Sequence, residues 1–564
     1  MPKKKSQLRR LSLYRLASFT SVFVLYFSLY LSRVSLTGYL WLLLPILVFA
    51  VLVSLYQKRK KNLEKLENTE FLISRELFRQ EGDLKKIKTR ETWEYPEWVK
   101  NHPLSIDLDL TTKHGLIAYL DTTVSQEAWD LFLNRLLRTK QENPKILQNE
   151  VLSILKNRTL GYHLLRKSMR SGDDRDLKTE IYESKTEFRF WEKRKFLKLI
   201  YRLLGIFTPL WLLVSTVFNF PLAASLLFLN ILIFITYRKE SLKHWNQIRK
   251  LKNNLDHLES AWKRLHPGRR KEIFSLAKPI HSLGDSSEFL VSPIPHFFLN
   301  AICLWDLWKL DTYGHWLKQW ESVWNELRDS WIRTDSLLPL AHFSFLHPEF
   351  AFPKWNETGE ISANDLGHPL IKESARVTNP LANLQRGDLF IITGSNMSGK
   401  TTYLRAIAVS ILLAGSGGPI VGSSMNLPEF KIHTLIRSQD SLEDGVSFFY
   451  SEVRRLSQII RESDSDSAVS ILFLDEILKG TNSKERQIAT REILEALRDK
   501  GAIVFLTTHD LQLAEIPNAK LFHFTELEKD GEMIFDYKIR EGISKTTNAL
   551  RILKKEGIPI RGEV

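Results

Sequence analysis

A chain of 564 residues with net charge +15 and a pI near 9.5 exceeds one ordinary domain and suits an anionic partner, nucleic acid or an anionic membrane surface. Its only cysteine, Cys303, excludes an intrachain disulfide and a cysteine-based zinc cluster, and it fits a reducing compartment.

Residues 1–10 form a basic tail with Lys3, Lys4, Lys5, Arg9 and Arg10. Residues 11–57 then hold two uncharged runs, 16–32 and 34–56. A third uncharged run, 203–237, lies within residues 199–237 and is interrupted near Asn219-Phe220-Pro221. A spanning helix needs about 20 apolar residues, so each block predicts a transmembrane helical hairpin. Basic clusters (Lys58-Arg59-Lys60-Lys61, Lys193-Arg194-Lys195, Arg238-Lys239) flank both blocks. That pattern places the flanks and the remaining domains in the cytoplasm. The expected location is a multi-pass membrane protein of a bacterial inner membrane. A cleaved leader is not expected, because the apolar region runs on into a second span.

Residues 58–198 read as charged and mostly helical. Within them, 106–137 carries a glycine and a small polar kink between two apolar-periodic segments. Residues 175–200 and 238–266 predict two long helices on either side of the second hairpin, with a break at Pro267-Gly268. Residues 238–345 continue helical. Trp305, Trp308, Trp316, Trp320, Trp324 and Trp331 recur at near-helical spacing, as a core stripe does; a base-stacking platform is the rarer alternative.

Residues 346–564 alternate strands with helices, which predicts an α/β sheet. An apolar strand, 389–393, leads into Gly394-Ser395-Asn396-Met397-Ser398-Gly399-Lys400-Thr401-Thr402 and then a helix. This is a P-loop in strand–loop–helix context. Its glycines let backbone N–H groups cradle phosphate oxygens, and the helix N-terminus adds partial positive charge. Lys400 reaches the β- and γ-phosphates, and the Thr401 hydroxyl ligates Mg²⁺. A second apolar strand ends at Asp475-Glu476. Asp475 suits the Mg²⁺ shell, directly or through water, and Glu476 suits orienting or deprotonating an attacking water. A third strand ends at Thr507-Thr508-His509-Asp510, where His509 can contact a γ-phosphate. Between the first two motifs, residues 439–452 read as a turn followed by a helix start, with Ser447 as its N-cap.

Together these parts resemble the ATPase domain of the MutS mismatch-repair family, within the ABC-type P-loop ATPases. "GSNMSGKTT" stands for the family's "GPNMGGKST", "DEILKGTNS" for "DEIGRGTS", "DSLEDGVSFF" for "DDLASGRSTF" and "TTH" for "ATH". Gly367-His368-Pro369 and Asn379-Pro380 look like its "RHP" and "NP" elements, and Tyr537 to Pro559 looks like its helical, subunit-pairing tail. More weakly, "GLIAYLDTTVSQEAWDLFLNRLL" is similar to a core-domain stretch. The resemblance implies ATP and Mg²⁺ as ligands and a homodimer through the ATPase domain. It also implies that Ser447 acts in trans on the partner's γ-phosphate and that helical levers carry the change outward. Three departures stand out. No large mismatch-recognition domain with a Phe-x-Glu wedge is read here, nor a nuclease-like extension after Val564, which puts mismatch recognition in doubt. Ser441 replaces the family's second Asp. Arg376 stands where an aromatic usually stacks on adenine, so a guanidinium would have to stack instead.

The expected fold is therefore a C-terminal α/β P-loop ATPase domain preceded by an all-α MutS-like core and lever region interrupted by transmembrane hairpins. The expected function is a membrane-anchored dimeric ATPase that binds and hydrolyses ATP, with binding of double-stranded DNA, mismatched or damaged DNA included, implied by the resemblance. The alternative is a membrane-coupled mechanochemical or signalling ATPase that does not touch DNA. A transporter is disfavoured by short spans without internal charges.

Overall fold

The computed structural model describes residues 2–32, 41, 43–86, 94–123, 125–139, 142–156, 195–218, 223–265, 268, 270–287, 293–395, 398–436, 448–463, 468–529 and 532–543. Among these, one compact unit ends at Leu77 and a second begins at Phe78.

The first unit is a helical pair, α1 (Pro2–Leu31) and the greater part of α2 (Leu43–Gln80). Lys5 meets Glu67 at 2.9 Å, Arg15 lies 4.6 Å over the Tyr56 ring, and Ser18 Oγ donates to Pro45 O at 3.1 Å. Early residues of α1 thus meet late residues of α2, so the two helices run antiparallel.

The second unit opens with short helices: α3 (Glu97–Lys100), α4 (Pro103–Asp107), α5 (Leu116–Leu120), α6 (Gln126–Leu136) and α7 (Pro144–Leu155). Longer ones follow: α8 (Lys195–Phe218), α9 (Ala223–Leu265), α10 (Arg270–Ser286), α11 (Pro293–Cys303), α12 (Trp305–Asp335) and α13 (Leu338–Leu346). The helix predicted over 238–266 is the charged half of α9, whereas most of 175–200 lies outside the described residues. Trp245, Trp316 and Trp331 are buried; Trp245 stacks on Trp305 with centroids 5.2 Å apart and donates Nε1–H to Asp306 Oδ1 at 2.9 Å. These tryptophans are core, whereas Trp308 is partly exposed.

The transmembrane hairpins are corrected by this architecture. Among the described residues no helix is long and apolar enough to cross a membrane. The membrane partner and the multi-pass inner-membrane location fall with them. A run without charges is not a run without polarity. The first run carries Ser18, Thr20, Ser21 and Ser28. In the third, Thr208 and Asn230 are buried, and Asn230 Nδ2 donates to Thr208 Oγ1 at 3.1 Å and to Ala301 O at 3.0 Å. Gly205 lets α8 approach α12 so closely that a Cβ there would lie 2.3 Å from Trp308 Nε1. The inner sides of α8 and α9 are thus spent on protein contacts, while Leu210, Phe228 and Leu232 stay exposed. The predicted turn at Asn219-Phe220-Pro221 lies outside the described residues.

From Lys354 the chain becomes α/β. A mixed four-stranded sheet has the order β1 (Lys354–Trp355), β5 (Ser424–Leu427), β2 (Ile361–Leu366), β3 (Asn379–Leu384). A six-stranded sheet has the order β12 (Arg540–Glu541), β9 (Lys520–His523), β4 (Leu389–Thr393), β8 (Ile503–Thr507), β7 (Val469–Asp475), β6 (Phe430–Leu435), and a separate antiparallel hairpin pairs β10 (Glu526–Lys529) with β11 (Glu532–Phe535). All pairings of the six-stranded sheet are parallel except β12 with β9. β4 and β8 are buried along their whole length, as continuous apolar runs covered on both faces should be. Helices α14 (Lys400–Gly415), α15 (Phe448–Glu462) and α16 (Ser483–Asp499) connect the strands. The parallel strands share one carboxyl edge, and ligands of open α/β sheets bind at that edge.

Candidate active site

The site gathers at the ends of β4, β7 and β8. β4 ends at Gly394, whose φ of +141° favours glycine and whose absent Cβ would sit 2.6 Å from Phe524 O. Gly399, at φ +105°, starts α14. Ser398 Oγ donates to Ser395 O at 2.8 Å and closes the loop on itself. The buried Lys400 ammonium folds back over it, donating to Gly394 O at 2.8 Å and Ser395 O at 2.7 Å. Burial lowers its pKa; the nearby Glu476 and Asp475 carboxylates oppose that shift.

Thr401, on the first turn of α14, donates Oγ1–H to Asp475 Oδ2 at 2.9 Å. Asp475 closes β7 opposite Thr507 of β8, whose hydroxyl bonds its other carboxylate oxygen. Glu476 follows in the left-handed region at φ +49°, with its N–H on Thr507 O at 3.0 Å. Its carboxylate meets His509 Nε2 at 2.5 Å and Lys479 Nζ at 3.1 Å. The bond to His509, and then Lys479, pull its pKa down to about 2 against the opposing effect of burial. His509 also lies 3.4 Å from Lys400 Nζ. Lys400, Thr401, Asp475, Glu476 and His509, predicted from separate motifs, are thus brought into one cluster. Gly394, Ser395, Ser398, Gly399 and Thr402 surround it. Asn396, Met397 and Ser447 lie outside the described residues.

A cavity of about 390 Å³ opens beside the loop. It is lined by the polar Ser395, Lys400, Thr401 and Glu476 and by Gly367, His368, Ile371, Val377 and Tyr537. The lining thus offers both charged groups and apolar surface. Thr401 and Asp475 are hard oxygen donors of the kind Mg²⁺ takes when most of its shell is water and phosphate.

Two details depart from expectation. Arg376 does not line the cavity. Its Nη2 and Nε donate to Ile371 O at 2.9 and 3.2 Å, and its guanidinium lies 5.3 Å over the Phe350 ring. Tyr537 lines the cavity instead, with its ring 3.1 Å from where a Gly399 Cβ would be. Tyr537 begins no helix. The chain there is extended and pairs with β9 through β12, and the tail beyond Ile543 lies outside the described residues. Asn379 splices this segment to β3: its Nδ2 donates to Tyr537 O, and its Oδ1 accepts from Ile539 N–H, both at 2.9 Å. Sequence had marked Asn379-Pro380 but not its partner, because Tyr537 sits in no phosphate motif and only the pairing of distant strands brings it to Gly399.

Residues 390–561 match the family described as MutS domain V. The chain is 30% identical over 217 residues to a DNA mismatch repair protein MutS of Streptococcus thermophilus, an alignment covering 37% of this chain and 25% of that protein. Similar matches are the MutS proteins of Streptococcus uberis, 30% identical over 225 residues (38% and 26%), and Streptococcus agalactiae, 29% over 245 residues (42% and 28%). The aligned region spans about a quarter of the length of these curated relatives.

Proposed function

Because this chain belongs to the MutS family through its C-terminal domain, we propose that it binds and hydrolyses ATP with Mg²⁺ as a homodimer and couples that cycle to double-stranded DNA. The observation that carries this is the convergence of Lys400, Thr401, Asp475, Glu476 and His509 beside a cavity lined by both polar and apolar groups. Lys400 exchanges the loop carbonyls for β- and γ-phosphate oxygens. Thr401 and Asp475 would hold Mg²⁺, which would supply neutralisation of phosphate charge. Glu476, kept ionised by His509 and Lys479, is a weak base in that pairing and orients water better than it deprotonates it. When His509 turns to the γ-phosphate, Glu476 loses its first partner and becomes the stronger base. Tyr537 and Val377 take the adenine, and Ser447 completes the partner subunit's site.

DNA binding is the part carried by family membership and net charge rather than by the site. The test is the steady-state ATPase rate with and without homoduplex and mismatched DNA, with Glu476→Gln as the inactive control. Hydrolysis lost in Glu476→Gln and stimulated by DNA is the expected result. DNA-indifferent hydrolysis refutes the DNA coupling, and hydrolysis surviving Glu476→Gln refutes the catalytic assignment.

A further inference from the structure

The loop after β7 holds two non-glycine residues in the left-handed region, Glu476 at φ +49° and Leu478 at φ +59°. Such a conformation is strained for an L-residue and persists only where surrounding contacts over-determine it. At Glu476 the backbone bond to Thr507 O does so. At Leu478 the acceptor is a side chain from elsewhere in the fold: its N–H donates to Glu452 Oε1 at 2.8 Å. Glu452 lies on the second turn of α15 and is 5% exposed. Burial raises its pKa. Its second oxygen, Oε2, is buried and has no hydrogen-bond partner among the described residues. A buried carboxyl is costly unless its bonds repay it, and its one visible bond is to this loop.

The surroundings make that bond rigid. Leu456 and Ile459 of α15 share one apolar cluster with Ile477 and Leu478. Arg455, on the same helix, donates to Asp107 Oδ2 at 2.7 Å and to Thr434 O. The helix cannot slide without breaking those contacts. We propose that Glu452 is a positioning residue: it holds the 476–478 loop in its left-handed form and so aims the Glu476 carboxylate. This rests on the ATPase reading above but adds a residue that reading does not use. Glu452 touches neither the cavity nor the reacting atoms and acts only through the Leu478 amide.

The test compares Glu452→Ala with Glu452→Gln, which keeps an oxygen acceptor. Expected for Glu452→Ala is a kcat about 10–100-fold lower with KM within about threefold, because misplacing a catalytic group by about 1 Å costs on the order of 100-fold. Affinity for ADP should not change, whereas general structural damage would weaken it. Glu452→Gln should keep kcat within about threefold of the unsubstituted protein. Hydrogen exchange in a peptide covering 476–480 should accelerate in Glu452→Ala and not in Glu452→Gln. A normal kcat in Glu452→Ala, or equal damage in both variants, overturns the proposal. If the unsubstituted protein hydrolyses no ATP, the hydrolase reading fails by itself. The exchange experiment then still decides whether Glu452 holds the loop, and an unchanged rate in Glu452→Ala overturns that.

Discussion

The Asp107–Arg455 contact joins the helical part of the second unit to the α/β domain, and the two partners should differ in what their loss costs. Asp107 ends α4 and is 0% exposed; its Oδ2 accepts from Thr434 Oγ1 at 2.6 Å and Arg455 Nη2 at 2.7 Å. The Arg455 side chain is 25% exposed and keeps a bond to Thr434 O. Arg455→Met leaves a carboxylate in the interior with its cation gone, the situation in which breaking a buried pair costs about 3–5 kcal/mol. Asp107→Ala instead leaves a guanidinium that water can reach and one buried hydroxyl without its acceptor, for about 1–3 kcal/mol. The double variant Asp107→Ala/Arg455→Met should be less destabilised than the sum of the singles by about 1–3 kcal/mol. Urea unfolding of all four proteins, with hydrogen exchange in a peptide covering 103–110 as the local readout, measures this. Asp107→Ala at least as damaging as Arg455→Met, or strict additivity, would refute the reasoning.

Tyr537→Ala should weaken ATP and ADP binding about tenfold, since base–aromatic stacking contributes about 1–3 kcal/mol, and Tyr537→Phe should not. Titration with pyrophosphate is the control, and an equal loss there would show that the ring supports the phosphate loop rather than the base. His368 gives a pH dependence. Burial, helped by Arg405 and Arg376, lowers its pKa from 6.5 to about 4. Between those values the unfolded chain takes up a proton that the folded chain refuses, so stability falls as pH drops from 6.5 to about 4 and is unaffected above. One such group contributes on the order of 3 kcal/mol across that window. Denaturation midpoints of the unsubstituted protein and His368→Asn at pH 7.5, 6 and 5 should converge towards low pH, and parallel curves would rule His368 out.

The clustering of residues at the strand ends was legible because local sequence fixes it. A P-loop folds on itself, and Asp475, Glu476 and His509 each end an apolar strand of a parallel sheet, so registering the strands brings the ends together. The rest of the cavity lining was not. Arg376 was read by position in a motif, but its guanidinium has nearer partners in Ile371 O and Phe350. Tyr537 and Glu452 act through contacts with Gly399 and Leu478, and no spacing rule reaches such distant pairs. The uncharged runs misled for a related reason. Counting charges marks where a helix carries none, but not where a buried Asn230 finds its acceptors in α11.

The segment carrying Asp107 also carries Asp109, whose carboxylate accepts from Arg405 Nη1 at 2.7 Å. Arg405 is on α14, the helix that begins at Lys400, and Arg455 is on α15, the helix that carries Glu452. Two carboxylates two residues apart therefore grip the helix behind the phosphate loop and the helix behind the Glu476 loop. Asp109 itself holds a left-handed backbone at φ +54°, and the approach of Gly115 is so close that a Cβ there would meet Asp109 O at 2.5 Å. This turn has little room to deform, so a shift of α14 against α15 must either break one of the two ion pairs or turn the helical segment as a body. Breaking Asp107–Arg455 takes the cation from a fully buried carboxylate that keeps the Thr434 hydroxyl, while Arg405 and Asp109 are each about a fifth to a quarter exposed and part at lower cost. The difference in burial makes Asp107–Arg455 the stiffer of the two grips and Asp109–Arg405 the more solvent-screened one.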